Sequence, residues 1–163
     1  MPDGTSVWID DQEVPLDGST PRPLPSGGGD AYASFSPDGS LVAYNAGGLM
    51  VARSDGTEPR EVFDRPGGGS NWRKAWSPTS DRIAFATNGG KALRVVDVAT
   101  GSVTLLAEAE RGTSFEAIGF SPQGDRILFR RDEGDTNSLW SIGVDGSDAH
   151  PVVAGTWQGQ WSP

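Results

Sequence analysis

Cysteine is absent from the 163 residues, which excludes disulfides, thiolate nucleophiles and cysteine metal cages while leaving the redox compartment open. Histidine is almost absent too. The single copy, His150, cannot build a multi-histidine metal site, and no Gly-x-Ser-x-Gly elbow is present to pair with it as a serine hydrolase would require. His150 therefore reads as an exposed turn residue, and no catalytic residue, metal or cofactor is expected. No apolar run approaches the length of a membrane span, and the first thirty residues lack the basic start and apolar stretch of a secretory signal. Membrane insertion is not expected, and any targeting segment is expected to lie outside this chain. Positive charge is scarce: 13 Lys and Arg against 22 Asp and Glu give a net charge of -9. Such a surface repels nucleic acid and anionic membranes, local basic spots such as Arg130-Arg131 notwithstanding.

What is abundant is turn chemistry: 23 glycines and 12 prolines, set among six tryptophans and six phenylalanines. A chain of this length has enough apolar surface for one compact domain over 1–163. The apolar residues recur in a fixed order. Phe35-Ser36-Pro37-Asp38-Gly39, Trp76-Ser77-Pro78-Thr79-Ser80, Phe120-Ser121-Pro122-Gln123-Gly124 and Trp161-Ser162-Pro163 each place an aromatic before Ser-Pro. Their serines stand 41, 44 and 41 positions apart, the period of one four-stranded propeller blade. The repeats run approximately over 2–36, 37–77, 78–121 and 122–163.

After each Ser-Pro comes a short segment, Leu41-Val42-Ala43-Tyr44, Arg82-Ile83-Ala84-Phe85 or Arg126-Ile127-Leu128-Phe129. Apolar side chains on both faces predict strands sandwiched between neighbours. Third strands are expected at Leu49–Val51, Leu93–Val96 and Leu139–Ile142. A second turn recurs as Asp17-Gly18-Ser19, Asp55-Gly56-Thr57, Thr100-Gly101-Ser102 and Asp145-Gly146-Ser147. Asp-Gly predicts a hairpin, in the first instance of type I′, whereas Ser-Pro-Asp-Gly matches a type I turn. The expected fold is all-β: a β-propeller of four antiparallel four-stranded blades.

Pro2-Asp3-Gly4 matches Pro37-Asp38-Gly39, and the chain closes on Trp161-Ser162-Pro163. The two ends together spell one blade, with an innermost strand near Gln158 to Trp161 and its three partners at the N-terminus. That blade would close a ring. The alternative is an open four-blade arc of a larger propeller, which admits a homodimer. The first copy spans only 35 positions, so its loop between Asp10 and Glu13 must be tight.

The aromatic-Ser-Pro-Asp-Gly turn, the Ile-Ala-Phe type strand and the Asp-Gly-Ser/Thr hairpin together resemble the WD-like repeats of TolB-type β-propellers over nearly the whole chain. Thr79-Ser80, Gln123 and Thr100 depart from the pattern in residues that still suit turns. The resemblance implies a recognition or scaffold module that contacts protein partners, in a periplasmic or extracellular setting. It also admits an accessory propeller of a prolyl oligopeptidase-like hydrolase, or a carbohydrate-binding propeller.

In a propeller the connectors entering each first strand gather on one face. Tyr32, Trp72, Phe115 and Trp157 fall there, with Arg73 and Glu116 beside them. The aromatics either anchor a protein or peptide partner or wedge between blades, and the two charges either orient a polar ligand or pair with each other. The run Asp132-Glu133-Gly134-Asp135 lacks the ordered spacing of a calcium loop and reads as a solvated hairpin. Gly27–Gly29 and Gly67–Gly69 lack a phosphate-loop lysine and read as connectors.

Overall fold

The computed structural model describes residues 6–9, 12–23, 33–64, 73–87, 89–155 and 159–161. The chain divides into two compact units, Met1–Asn71 and Trp72–Pro163. Every regular element among the described residues is a strand. No helix there is long and apolar enough to cross a membrane.

In the first unit, β1 (Ser6–Ile9), β2 (Gln12–Pro15) and β3 (Arg22–Pro23) form a three-stranded antiparallel sheet. Ile9 lies opposite Gln12, so the connection between β1 and β2 is as tight as the short first repeat requires. A four-stranded antiparallel sheet follows, built in order from β4 (Ser34–Phe35), β5 (Leu41–Ala46), β6 (Gly48–Arg53) and β7 (Arg60–Phe63). The second unit holds two more such sheets. One comprises β8 (Lys74–Trp76), β9 (Arg82–Thr87), β10 (Ala92–Asp97) and β11 (Val103–Glu108). The other comprises β12 (Thr113–Phe120), β13 (Arg126–Glu133), β14 (Thr136–Gly143) and β15 (His150–Ala154). The junction expected to join the chain ends involves residues 1–5, 158 and 162–163, which lie outside the described residues.

The second strand of each four-stranded sheet is buried on both faces, as its unbroken apolar run demands. Val42, Ala43 and Tyr44, then Ile83, Ala84 and Phe85, then Ile127, Leu128 and Phe129 are all buried. In the second unit, Ala75, Ala84, Leu93, Val95 and Leu106 of one sheet pack into a single core with Phe115, Ala117, Phe120, Ile127, Phe129 and Ile142 of the next. The third-to-fourth strand pairing shifts register at the corresponding place in each sheet, at Leu49/Met50, Leu93/Arg94 and Leu139/Trp140. A bulge repeated in this way strengthens the local twist that lets blades fan out.

The Ser-Pro serine closes each of the three described turns. Ser36, Ser77 and Ser121 are buried at 2%, 0% and 3% exposure, so their hydroxyls must be fully satisfied. Ser77 Oγ donates to Asp81 Oδ1 at 2.7 Å and accepts from the Asp81 and Arg82 amides at 3.2 and 3.0 Å. Ser121 repeats this with Asp125 at 2.6 Å and the Asp125 and Arg126 amides at 3.2 and 3.1 Å. In Ser36 the acceptor carboxylate sits two positions on, at Asp38, 2.6 Å away, and the Leu41 amide donates to Oγ at 2.9 Å. The departures from Ser-Pro-Asp-Gly are thus compensated within the turn, because where Thr79 or Gln123 replaces aspartate, Asp81 or Asp125 supplies the carboxylate. Backbone bonds of 2.9, 3.0 and 2.8 Å run from Gly39, Ser80 and Gly124 to the carbonyl of the turn serine. All three residues have positive φ, 74°, 61° and 73°.

The Asp-Gly hairpins form where expected, but not as type I′ turns. Only the glycine takes positive φ, at Gly18, Gly56 and Gly146. Gly56 and Gly146 donate to the Arg53 and Gly143 carbonyls at 2.8 and 2.9 Å, a type I turn followed by a left-handed bulge residue. The aspartate instead receives the residue two further on: Asp55 Oδ1 takes the Thr57 amide at 2.9 Å and hydroxyl at 2.7 Å, and Asp145 Oδ1 takes those of Ser147 at 2.9 and 2.6 Å. An Asx-type bond competes successfully with the mirror-image turn. The Thr100-Gly101 hairpin is one residue longer, and Asp97 caps it through Thr100.

Within the second unit, the turn Gly89–Lys91 carries one sheet onto the next. Phe115 N donates to Gly90 O at 2.8 Å, Ala109 N to Lys91 O at 2.8 Å, and Lys91 Nζ to Thr113 O. Gly90 is required here, since φ is 86° and a Cβ would lie 2.8 Å from the Phe115 carbonyl oxygen. Arg82 completes the junction through Gly124 O at 3.0 Å, its guanidinium 5.6 Å from the Phe120 ring centre.

Replacing Ser77 with alanine removes the acceptor of the Asp81 and Arg82 amides, while the exposed Asp81 carboxylate keeps Thr79, and chemical denaturation should register a loss of about 1–3 kcal/mol. Gly90→Ala adds left-handed strain to a steric conflict, for which about 2–4 kcal/mol is expected in the same measurement. Hydrogen bonds from Ser77 and Ser121 hold Asp81 and Asp125 below the usual carboxylate range. Their stabilisation is therefore complete above the unfolded pKa of about 3.9 and is lost as pH falls through the lower folded value. Thermal midpoints should fall below about pH 4, and the Ser77→Ala/Ser121→Ala variant should show a shallower fall.

Candidate functional site

The connector ends of β8 and β12 bring charge together. β12 pairs with β13, so that Glu116 lies opposite Arg130. Alternation places Asp132 on the same face of β13, and Arg73 enters immediately before β8. Glu116 uses both oxygens: Oε1 meets Arg73 Nε at 2.8 Å and Oε2 meets Arg130 NH2 at 2.8 Å. Arg130 Nε in turn lies 3.0 Å from the Asp132 carboxylate. The result is a ladder of alternating sign, Arg73, Glu116, Arg130 and Asp132. Its inner members are about three-quarters buried, with side-chain exposures of 24% for Glu116 and 23% for Arg130, whereas Arg73 is 63% exposed. The opposite face of the same strand carries Arg131, which pairs with Glu133 and stacks 4.9 Å from the Trp140 ring centre.

Of the residues singled out from sequence, the structure joins Arg73 and Glu116 directly. Phe115 is placed elsewhere than an open rim: it is 8% exposed and packs edge-on against Phe129, ring centres 5.4 Å apart and planes at 83°. The reason is the pleat, which turns Phe115 into the core when Glu116 faces outward. Tyr32, Trp72 and Trp157 lie outside the described residues. Arg130 and Asp132 complete the ladder without having been singled out as site residues.

The Asp132–Asp135 segment is a two-residue hairpin, with Glu133 opposite Thr136 and Gly134 at φ 59°. Its glycine at the first central position matches a type II′ turn. No group of three metal-ligating side chains converges among the described residues. His150 is half-exposed, with Nδ1 at 3.0 Å from Asp148 O and 3.3 Å from Arg126 NH2. An open apolar cavity of ≈ 340 Å³ lies against the last sheet, lined by Leu128, Leu139, Val152, Val153 and Trp161 among others. Trp161 Nε1 donates to Gly119 O at 3.4 Å on the same sheet.

No family model matches the sequence, and no curated protein does. Solved structures do. A putative TolB from Agrobacterium tumefaciens matches over 98% of this chain with a TM-score of 0.71 and 20% identity. The chain has a TolB-like β-propeller fold. TolB from Acinetobacter baumannii matches over 92% of it with a TM-score of 0.65 and 20% identity. A prolyl endopeptidase structure matches over 94% with a TM-score of 0.62 and 17% identity. This TolB-like chain spans 61%, 38% and 29% of those three proteins respectively, and at such identities the likeness is one of fold.

An exposed ion pair of the Arg73 kind adds at most about 1 kcal/mol to stability. Glu116→Ala differs, because it takes an ion-pair partner from the largely buried Arg130; a loss of about 1–3 kcal/mol is expected, against a near-zero effect of Arg73→Ala, both read from chemical denaturation.

Proposed function

We propose that this TolB-like propeller is a noncatalytic recognition module that holds a protein or peptide partner at the connector ends of its blades. The observation that carries the reading is the convergence of Arg73, Glu116 and Arg130 there, next in sequence to Trp72. Polar groups fixed by mutual ion pairs suit the polar rim of a hot spot, and the sequence supplies an amphipathic ring in the neighbouring Trp72. The TolB likeness supports a propeller used for contact, and a periplasmic or extracellular setting goes with it. The absence of a nucleophile elbow from the sequence and the lone histidine argue against chemistry within this chain.

A second reading, an accessory propeller that positions substrate for a hydrolase domain, draws support from the prolyl endopeptidase likeness. It keeps the same contact surface and assigns the chemistry to another domain.

Selection of a phage-displayed random peptide library on the purified chain tests the first reading. Binders should be recovered, and Trp72→Ala/Trp157→Ala should weaken them at least tenfold, as expected for aromatic anchors, with an unchanged thermal midpoint. Binders indifferent to both tryptophans would remove the aromatic part of the proposal.

A further inference from the structure

The ladder has two unlike ends. Its inner end terminates on Asp132, which takes the Arg130 Nε contact at 3.0 Å. Its outer end is the Arg73 guanidinium, 63% exposed, whose one partner among the described residues is Glu116 through Nε. A guanidinium carries five donors in a rigid plane. With Nε committed, the terminal nitrogens have no partner among the described residues, and they form the edge that grips two oxygens end-on.

Glu116 makes this an oriented donor and not a loose side chain. It cannot follow Arg73 outward, because its second oxygen is held at 2.8 Å by Arg130, itself anchored on Asp132. Arg73 is thereby restrained before any ligand arrives, which lowers the ordering cost of gripping one.

The surroundings select the charge of that ligand. Glu116 lies 2.8 Å from the same guanidinium, and the protein carries a net charge of -9. A dianionic phosphate would meet this repulsion twice over, and a polyanion many times. A carboxylate brings one negative charge and the planar geometry that matches the fork. Resting on the recognition reading above, we propose that Arg73 is the anchor for an aspartate or glutamate side chain of a peptide partner, with Glu116 and Arg130 as its positioning residues.

Peptides recovered from the phage library are resynthesised with each acidic residue replaced by its amide, and their affinities are measured calorimetrically. The intact wild-type chain is compared with Arg73→Gln and Arg73→Lys. One acid in each binder should be worth about tenfold, Arg73→Gln should cost the same, and the two losses should not add. Arg73→Lys, which keeps the charge and loses the fork, should fall between. Equal thermal midpoints confirm that the variants are folded. Binders without acids, or an amide effect that persists in Arg73→Gln, would overturn the anchor and leave the recognition reading standing. Failure to recover any binder would overturn both.

Discussion

A buried serine hydroxyl, that of Ser36, Ser77 or Ser121, is the point on which each four-stranded sheet turns. It accepts from the amide that begins the following strand and donates to a carboxylate within the same turn, so one small side chain ties the exit of one strand to the entry of the next. The preceding aromatic is buried in two of these turns, at Trp76 and Phe120, and Phe120 joins the inter-sheet core. Proline fixes one dihedral of the corner and carries no amide that would need a partner. The aromatic-Ser-Pro triplet is therefore a mechanical unit, in which packing, corner and hydrogen-bond closure are supplied by three consecutive side chains.

The same end of each blade is tied a second time. Ser54, Val98 and Val144 amides, from the turn between third and fourth strands, donate to the Ser40, Asp81 and Asp125 carbonyls at 2.9, 2.8 and 3.0 Å. The two turn families that recur in sequence are thus bonded to one another in space. At the opposite end the Gly89–Lys91 turn leans on a neighbouring strand. In the second unit the first of these ends also reaches the next sheet, through Arg82 and Gly124 O, and the second carries the Arg73–Glu116–Arg130 ladder.

Much of this was legible in the residues. The spacing of Ser-Pro located the strands, because a buried strand must be apolar on both faces and only a few segments qualify. The pairing of Arg73 with Glu116 was one of two outcomes their positions allowed. Arg130 was not legible, for a definite reason. Continuing the pairing of Phe120 with Ile127 without interruption would place Arg131 opposite Glu116, but a register shift between Ala117 and Gly119 moves the contact to Arg130. The sign of the extra residue in that stretch is Gly119, since a glycine inside a strand pattern suggests a bulge without fixing the register around it. The turn type of the Asp-Gly hairpins was hidden likewise, since Asp-Gly serves both the mirror-image turn and the Asx-bonded type I turn with a bulge.

The carboxylate that receives the turn serine has two addresses. In one repeat it is Asp38, followed by Ser40; in the others it is Asp81 or Asp125, preceded by Thr79 or Gln123. Either address satisfies the same hydroxyl. A lineage can consequently migrate the acid along the corner by first acquiring the second copy and then losing the first, with the bond intact at every step. Repeats related in this way drift apart letter by letter while remaining superposable, so a comparison that scores single positions will undercount the blades of such a chain.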